Sequence, residues 1–243
     1  SDFVLICGNK RIYKTTDGGS TWAEVFYTNA TGNEIKFHPN NPTTIFCTTS
    51  KGLFKSTDGG TTWATIYTED CWDIDFHPTN PDTVYLLKEN TALKRGEFFR
   101  SVDGGVTWTL KYMGWYSPAV LAEANASGGK IAVTPADPDR IYACLIGDAK
   151  ANDNGWIGVY RSNDRGENWA NLVGQDGGPY NSVNVMPWNV AAYTSGYHQG
   201  YYNFDCEASH NNPDVFWIGT IRLSESADGG ITFEGIGAAN SNR

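Results

Sequence analysis

Ser56-Thr57-Asp58-Gly59-Gly60-Thr61-Thr62-Trp63 is the clearest copy of a phrase that this 243-residue chain repeats five times. Residues 15–22 (T-T-D-G-G-S-T-W) and 101–108 (S-V-D-G-G-V-T-W) follow it closely, whereas 162–169 (S-N-D-R-G-E-N-W) and 226–233 (S-A-D-G-G-I-T-F) are degenerate. A fixed phrase recurring at intervals of tens of residues is the signature of stacked supersecondary units. An apolar–aromatic–basic lead such as Leu53-Phe54-Lys55 reads as a strand. Asp-Gly-Gly then makes a tight turn, with glycine supplying positive φ and the carboxylate accepting backbone N–H groups. The Thr-Trp that follows starts a return strand, its indole packed beside the hairpin. Asp17, Asp58, Asp103, Asp164 and Asp228, with Trp22, Trp63, Trp108, Trp169 and Phe233, are therefore read as structural: a catalytic group is rarely copied into every repeat.

A second phrase precedes the boxes. Residues 37–46 (F-H-P-N-N-P-T-T-I-F), 76–85 (F-H-P-T-N-P-D-T-V-Y), 133–142 (V-T-P-A-D-P-D-R-I-Y) and, more weakly, 208–217 each read as a strand end, a proline-fixed turn and a new strand. One repeat is thus strand, proline turn, strand, strand, Asp-Gly-Gly turn, strand. Four-stranded units of this size are propeller blades.

The phrase S/T-x-D-x-G-x-T-W resembles the Asp-box, or BNR repeat, of sialidases, xyloglucan-cleaving glycosidases, sortilin-type receptors and a photosystem II assembly factor. That resemblance covers essentially the whole chain and implies an all-β propeller of four-stranded blades with Asp-box hairpins. It leaves function open, because the box occurs in enzymes, receptors and assembly factors alike. The expected blades are residues 1–27 (incomplete), 33–68, 71–112, 128–173 and 203–236, within one propeller region over 1–243. The chain opens on a second strand and runs out after the fifth box. That pattern suggests a five-blade arc of a larger propeller of about seven blades or more, truncated at both ends; a ring of five is the alternative. Residues 198–202 (H-Q-G-Y-Y), with V-T-P-A-D-P-D-R-I-Y and V-Y-R-S-N-D-R-G-E-N-W, also resemble large secreted BNR proteins of Bacteroidetes, which implies a secreted or cell-surface bacterial protein.

Composition agrees with an all-β chain: 27 glycines, 10 prolines and 14% aromatic residues suit short strands and tight turns. A net charge of −9 argues against nucleic acid or an anionic membrane as main partner. No apolar run approaches the roughly 20 residues of a transmembrane helix. Five cysteines cannot all pair within the chain. Cys7, Cys47 and Cys144 occupy comparable strands of different blades and read as buried thiols, leaving Cys71 and Cys206 as the one pair to test for a bridge.

Loop insertions gather in the later blades, at 113–127, 147–156 and 174–203, and such bulges in length build the working face of a repeat fold. Trp115, Tyr116, Trp156, Tyr180, Trp188, Tyr193, Tyr201 and Tyr202 are the candidate ligand-binding residues there, for protein or glycan. Aligned on the proline turn, the first strands place Glu34, Asp73, Lys130 and Asp205 at one position, and Lys36, Asp75, Ala132 and Glu207 two residues later. Period-2 alternation turns these toward the channel and packs Ile35, Ile74, Ile131 and Cys206 between blades. Asp73, Asp75, Asp205 and Glu207 are the candidate catalytic residues of an alternative reading, a xyloglucanase-like glycoside hydrolase with one raised-pKa acid and one base or nucleophile. A wet channel, whose walls must be polar in any case, is the preferred explanation of them. Arg11, Arg100 and Arg161 all lie in strands leading into a box, so they do not form a sialidase arginine triad. His38 and His77 fall in equivalent turns of successive blades, too far apart to chelate together. Neither a metal nor a cofactor is expected, and further domains of the same polypeptide are expected partners.

Overall fold

The computed structural model describes residues 3–115, 126–147, 156–174, 203–220 and 223–236. Within them each box is a turn stapled by its own aspartate. Ser56 Oγ accepts the Gly60 N–H and donates to Asp58 Oδ1, both at 2.8 Å. Asp58 in turn accepts the amides of Thr61 and Thr62 at 2.9 and 2.8 Å and the Thr62 hydroxyl at 2.6 Å. The pattern recurs at Asp17, Asp103 and Asp228; at Asp164 the Asn168 amide replaces the threonine hydroxyl. Threonine side-chain and backbone donors hold the carboxyls of Asp17 and Asp228 down to about 2. The turn needs left-handed backbone at both glycines, Gly104 at φ 68° and Gly105 at φ 83°.

Eighteen strands are defined among the described residues. β1 (Val4–Cys7), β2 (Asn9–Thr15) and the first half of β3 (Ala23–His38) form one meander. The second half of β3 continues with β4 (Asn41–Thr49), β5 (Gly52–Ser56) and β6 (Ala64–Tyr67). The two meanders are thereby fused into a six-stranded sheet. Three four-stranded antiparallel sheets follow: β7 (Cys71–Phe76) to β10 (Thr109–Lys111), β11 (Ala126–Val133) to β14 (Ala170–Gly174), and β15 (Asp205–Ala208) to β18 (Glu234–Ile236). In them β8 is Val84–Asn90, β9 Arg95–Ser101, β12 Ile141–Gly147, β13 Trp156–Ser162, β16 Phe216–Gly219 and β17 Leu223–Ser226. The chain is all-β, built from four-stranded propeller blades.

The apolar core lies between consecutive blades. Leu5 and Ile12 meet Ile45, Cys47 and Phe54; Phe46 and Leu53 meet Ile74 and Leu86. Tyr85 and Phe98 meet Trp115, Tyr160 and Trp169, and Tyr142 stacks on Phe216 at 4.4 Å. Each such side chain contributes roughly 1.5–3 kcal/mol by leaving water, so blades stabilise each other face to face. The second box glycine touches the preceding blade: a Cβ on Gly105 would stand 2.7 Å from the Phe46 ring.

Arg11, Arg100 and Arg161 lie on strands that enter boxes. Lys14, Lys55, Arg100 and Arg161 stand directly before the box Ser/Thr, whereas Arg11 pairs with Glu24 at 2.7 Å across the same hairpin. One expectation is corrected: the cysteine reading changes, because facing blades bring equivalent strands together. Cys7 and Cys47 sit with sulfurs 3.3 Å apart, while Cys71 donates to the Glu69 carbonyl and Cys206 neighbours Cys144.

Candidate functional site

The first strand of each blade lies innermost, and its polar residues interlock. Lys130 Nζ stands 3.6 Å from Glu34 and 3.7 Å from Asp73, so three successive blades meet through one ammonium. Asp73 Oδ2 also accepts the Ile131 N–H at 2.7 Å. Two residues along, Lys36 Nζ lies 3.3 Å from Asp75, which accepts the amide of Phe76 at 2.8 Å. Asp73 is 5% exposed, and burial pushes its carboxyl up to about 7 against the pull of Lys130. Burial raises Asp75 as well, with Lys36 opposing. Asp73 is thus a covered ion-pair partner rather than part of a wet wall.

Asp205 and Glu207 differ from this pair. Both are exposed; Asp205 accepts the amide of Cys206 at 2.9 Å, and Glu207 approaches His210 at 3.9 Å. Asp205 lies within electrostatic range of Lys130, and Glu207 within range of Asp75 and Lys36. The four carboxylates named from sequence are therefore neighbours, with lysines interposed at two of them.

A cavity of about 460 Å³ opens where the inner strands begin. Its lining was not legible as a motif. Three inner strands carry a β-bulge near this end, where the cross-strand register skips Asn33, Trp72 and Ser127. All three line the cavity. A bulge re-aims a side chain out of the pleat, and bulges are common beside working sites. Phe204, directly before β15, Lys130 and Asp70 also line the cavity. Asn33 Nδ2 donates to Asp70 Oδ1 at 3.2 Å and to the Cys71 carbonyl at 2.8 Å. Burial and the nearby Glu89 push Asp70 up to about 6. Trp72 is 5% exposed, and its Nε1 is sealed from solvent without a hydrogen bond, although it lies near enough to Asp70 to favour the charged carboxylate.

The antiparallel order puts the loops between blades and the second-to-third-strand loops at this end, with boxes and proline turns at the other. Tyr116, Tyr180, Trp188, Tyr193, Tyr201 and Tyr202 lie outside the described residues. Trp115 and Trp156, expected among the ligand-facing aromatics, are core residues instead. Trp115 is 5% exposed, donates to the Gly96 carbonyl at 2.9 Å and packs edge-on to Trp169; Trp156 is 1% exposed and packs on Phe204. Loop position suggested exposure, but both rings fall where two blades face each other.

Among the described residues, no group of three or more His, Cys, Asp or Glu is placed to hold a metal, and no helix is long and apolar enough to cross a membrane. His38 and His77 each face an aspartate of the next blade, Asp82 and Asp139, at 3.7 Å.

Residues 10–115 match the family described as Sortilin-Vps10 (sortilin, neurotensin receptor 3). No curated protein matches the chain. Among solved structures, an ancestral GH74 enzyme superposes with a TM-score of 0.69 at 19% identity, over 100% of this chain and 30% of its own. A GH74 enzyme of Niastella koreensis gives 0.52 at 17%, over 98% and 49%. The extracellular domain of a protein assigned as a one component system of B. thetaiotaomicron gives 0.58 at 13%, over 93% and 26%. The chain thus spans between about a quarter and a half of these relatives' lengths, and the likeness is one of fold.

Proposed function

We propose that this chain, an Asp-box β-propeller of the sialidase- and sortilin-like kind, is an extracellular or cell-surface binding module that takes a glycan or protein ligand at the loop end of its blades. The observation that carries this reading is the convergence of the bulged residues Asn33, Trp72 and Ser127 on one cavity. Amide, hydroxyl, carboxyl, ammonium and aromatic groups gathered in one concavity suit hydroxyl-rich or peptide surfaces. Structural likeness to an extracellular domain and to GH74 enzymes supports a site outside the cell and a carbohydrate among the ligands to try first.

The second reading is a glycoside hydrolase using Asp73 or Asp75 with Asp205 or Glu207. In its favour, a carboxyl pushed up to about 7 has the poise of a general acid. Against it, one oxygen of Asp73 is held by the Ile131 amide and the other faces Lys130, leaving no free face toward a leaving-group oxygen.

The test is calorimetric titration of the purified chain with xyloglucan oligosaccharides and a glycan panel, alongside a reducing-end assay. Binding without bond cleavage is expected, with Asn33→Ala weakening it by about tenfold. Reducing ends released by the wild type and lost in Asp73→Asn would establish the hydrolase instead. Binding that Asn33→Ala leaves untouched would move the site away from the cavity.

A further inference from the structure

Cys7 ends β1 in the first blade, and Cys47 lies in β4, the equivalent strand of the second. Their sulfurs are 3.3 Å apart, across the core between the two blades. This approach depends on Gly32 of β3, where a Cβ would fall 2.1 Å from Cys7 Sγ; any other residue would push the thiol away. The two sulfurs differ in environment. Cys47 is fully buried, with the Thr48 carbonyl 3.8 Å from its Sγ, while Cys7 is only partly covered. The remaining cysteines, Cys71, Cys144 and Cys206, are all buried.

We infer that Cys7 and Cys47 are an attacking and resolving thiol pair that closes to a disulfide bridging the first two blades when the protein meets a small-molecule disulfide such as oxidised glutathione. The roles follow from access. Cys7 is the less covered residue of the pair and so the one nearer to such an oxidant, and the neighbouring Cys47 thiol, whose hydrogen bond lowers the pKa of Cys7, favours the Cys7 thiolate. In the first step Cys7 Sγ attacks one sulfur of the oxidant and releases one glutathione thiolate, leaving a mixed disulfide. Cys47 then gives up its proton to that thiolate and attacks Cys7 Sγ, expelling the second glutathione. The protein loses two protons and two electrons, and the oxidant becomes two thiols. The bridge would close a loop of about 40 residues between positions 7 and 47, long enough for a sizeable restriction of the unfolded chain. This inference stands apart from the binding reading, since neither sulfur lines the cavity.

The experiment is equilibration of the folded chain with oxidised glutathione, alkylation of free thiols, and tryptic mapping without reduction. The expected result is a species joining peptides 1–10 and 37–51, about 2 Da lighter than their sum and split by reductant. Cys47→Ser should instead trap Cys7 as a persistent glutathione adduct, and oxidised wild type should unfold at a higher temperature than reduced. Recovery of both peptides separately alkylated, or of Cys7 glutathionylated while Cys47 in the same wild-type molecule still alkylates, would overturn the inference.

Discussion

Lys55 Nζ donates to the main-chain oxygen of Gly104 at 2.7 Å, tying the strand that enters one box to the turn of the next blade's box. Lys14 reaches Gly59 at 2.9 Å, Arg100 reaches Arg165 at 2.9 Å, and Arg161 reaches Gly229 at 2.8 Å in the same way. The basic residue of the repeat is thus a latch between blades, which is why it recurs although it takes no part in its own turn. In the fifth blade the position is Glu225, which accepts the Trp217 indole N–H at 2.6 Å and offers no cation.

Removing one latch leaves a turn carbonyl without its charged donor. Lys55→Met should lower unfolding free energy by about 1 kcal/mol, the discounted value of a charge-assisted bond near the surface. Lys55→Arg should recover part of that loss, because an arginine makes the equivalent reach at Arg100. Urea titration of both variants measures the difference; equal midpoints for Lys55→Met and wild type would remove the latch from the account.

Lys130 is the shared counter-ion of Glu34 and Asp73, and its side chain is 19% exposed. Lys130→Met should cost about 3 kcal/mol, chiefly by leaving Asp73 buried without its cation. Adding Asp73→Asn should restore most of the loss, since a neutral amide needs no counter-ion. A double-mutant cycle in urea reads the coupling directly.

Two sets of carboxyls impose opposite pH dependences. Asp17 and Asp228 have folded values of about 2, below the ordinary aspartate value of about 3.9. Their contribution is present above pH 4 and is lost as pH falls toward 2. Asp73 and Asp70 are raised to about 7 and about 6, so theirs is fully present below pH 4 and is lost as pH rises through those values. Stability should therefore climb from pH 8 to about pH 5 and collapse below pH 4. Asp73→Asn should flatten the upper limb, with Lys130, Glu34 and Lys36 as the charges left around the site. Urea midpoints across that range test both limbs.

Gly105 has φ 83° and faces the Phe46 ring, so Gly105→Ala meets both a strained backbone and a clash with the preceding blade. The expected cost is about 2 kcal/mol. Phe46→Leu in the same chain should relieve the clash but not the strain, so calorimetry of the pair should show partial recovery.

The blade pattern was legible because it is local. Ser56, Asp58, Gly60 and Thr62 make one another's hydrogen bonds within a few residues, so the phrase announces its own geometry. The inner-strand charges were legible as positions, since Glu34, Asp73 and Lys130 share a register, but not as ion pairs, because their partners lie a blade or two away in sequence. Asn33, Trp72 and Asp70 carry no motif; only a bulge, invisible to a period-2 pattern, brings Asn33 to the cavity and adds to its wall Trp72, which otherwise packs in the core between blades. Trp115 and Trp156 misled for the opposite reason: they look like loop aromatics, yet blade stacking buries them.

β3 spans Ala23 to His38, pairing with β2 as far as Thr31 and with β4 from Gly32 onward. The first two blades thus share one continuous strand where the later ones are joined by loops, although Asn29 at φ 53° and the bulge at Asn33 bend it between the two ladders. Under load or partial denaturation they should yield together. Amides of β2 and β5 would then exchange with solvent at one common rate, while those of β9, β13 and β17 keep separate clocks.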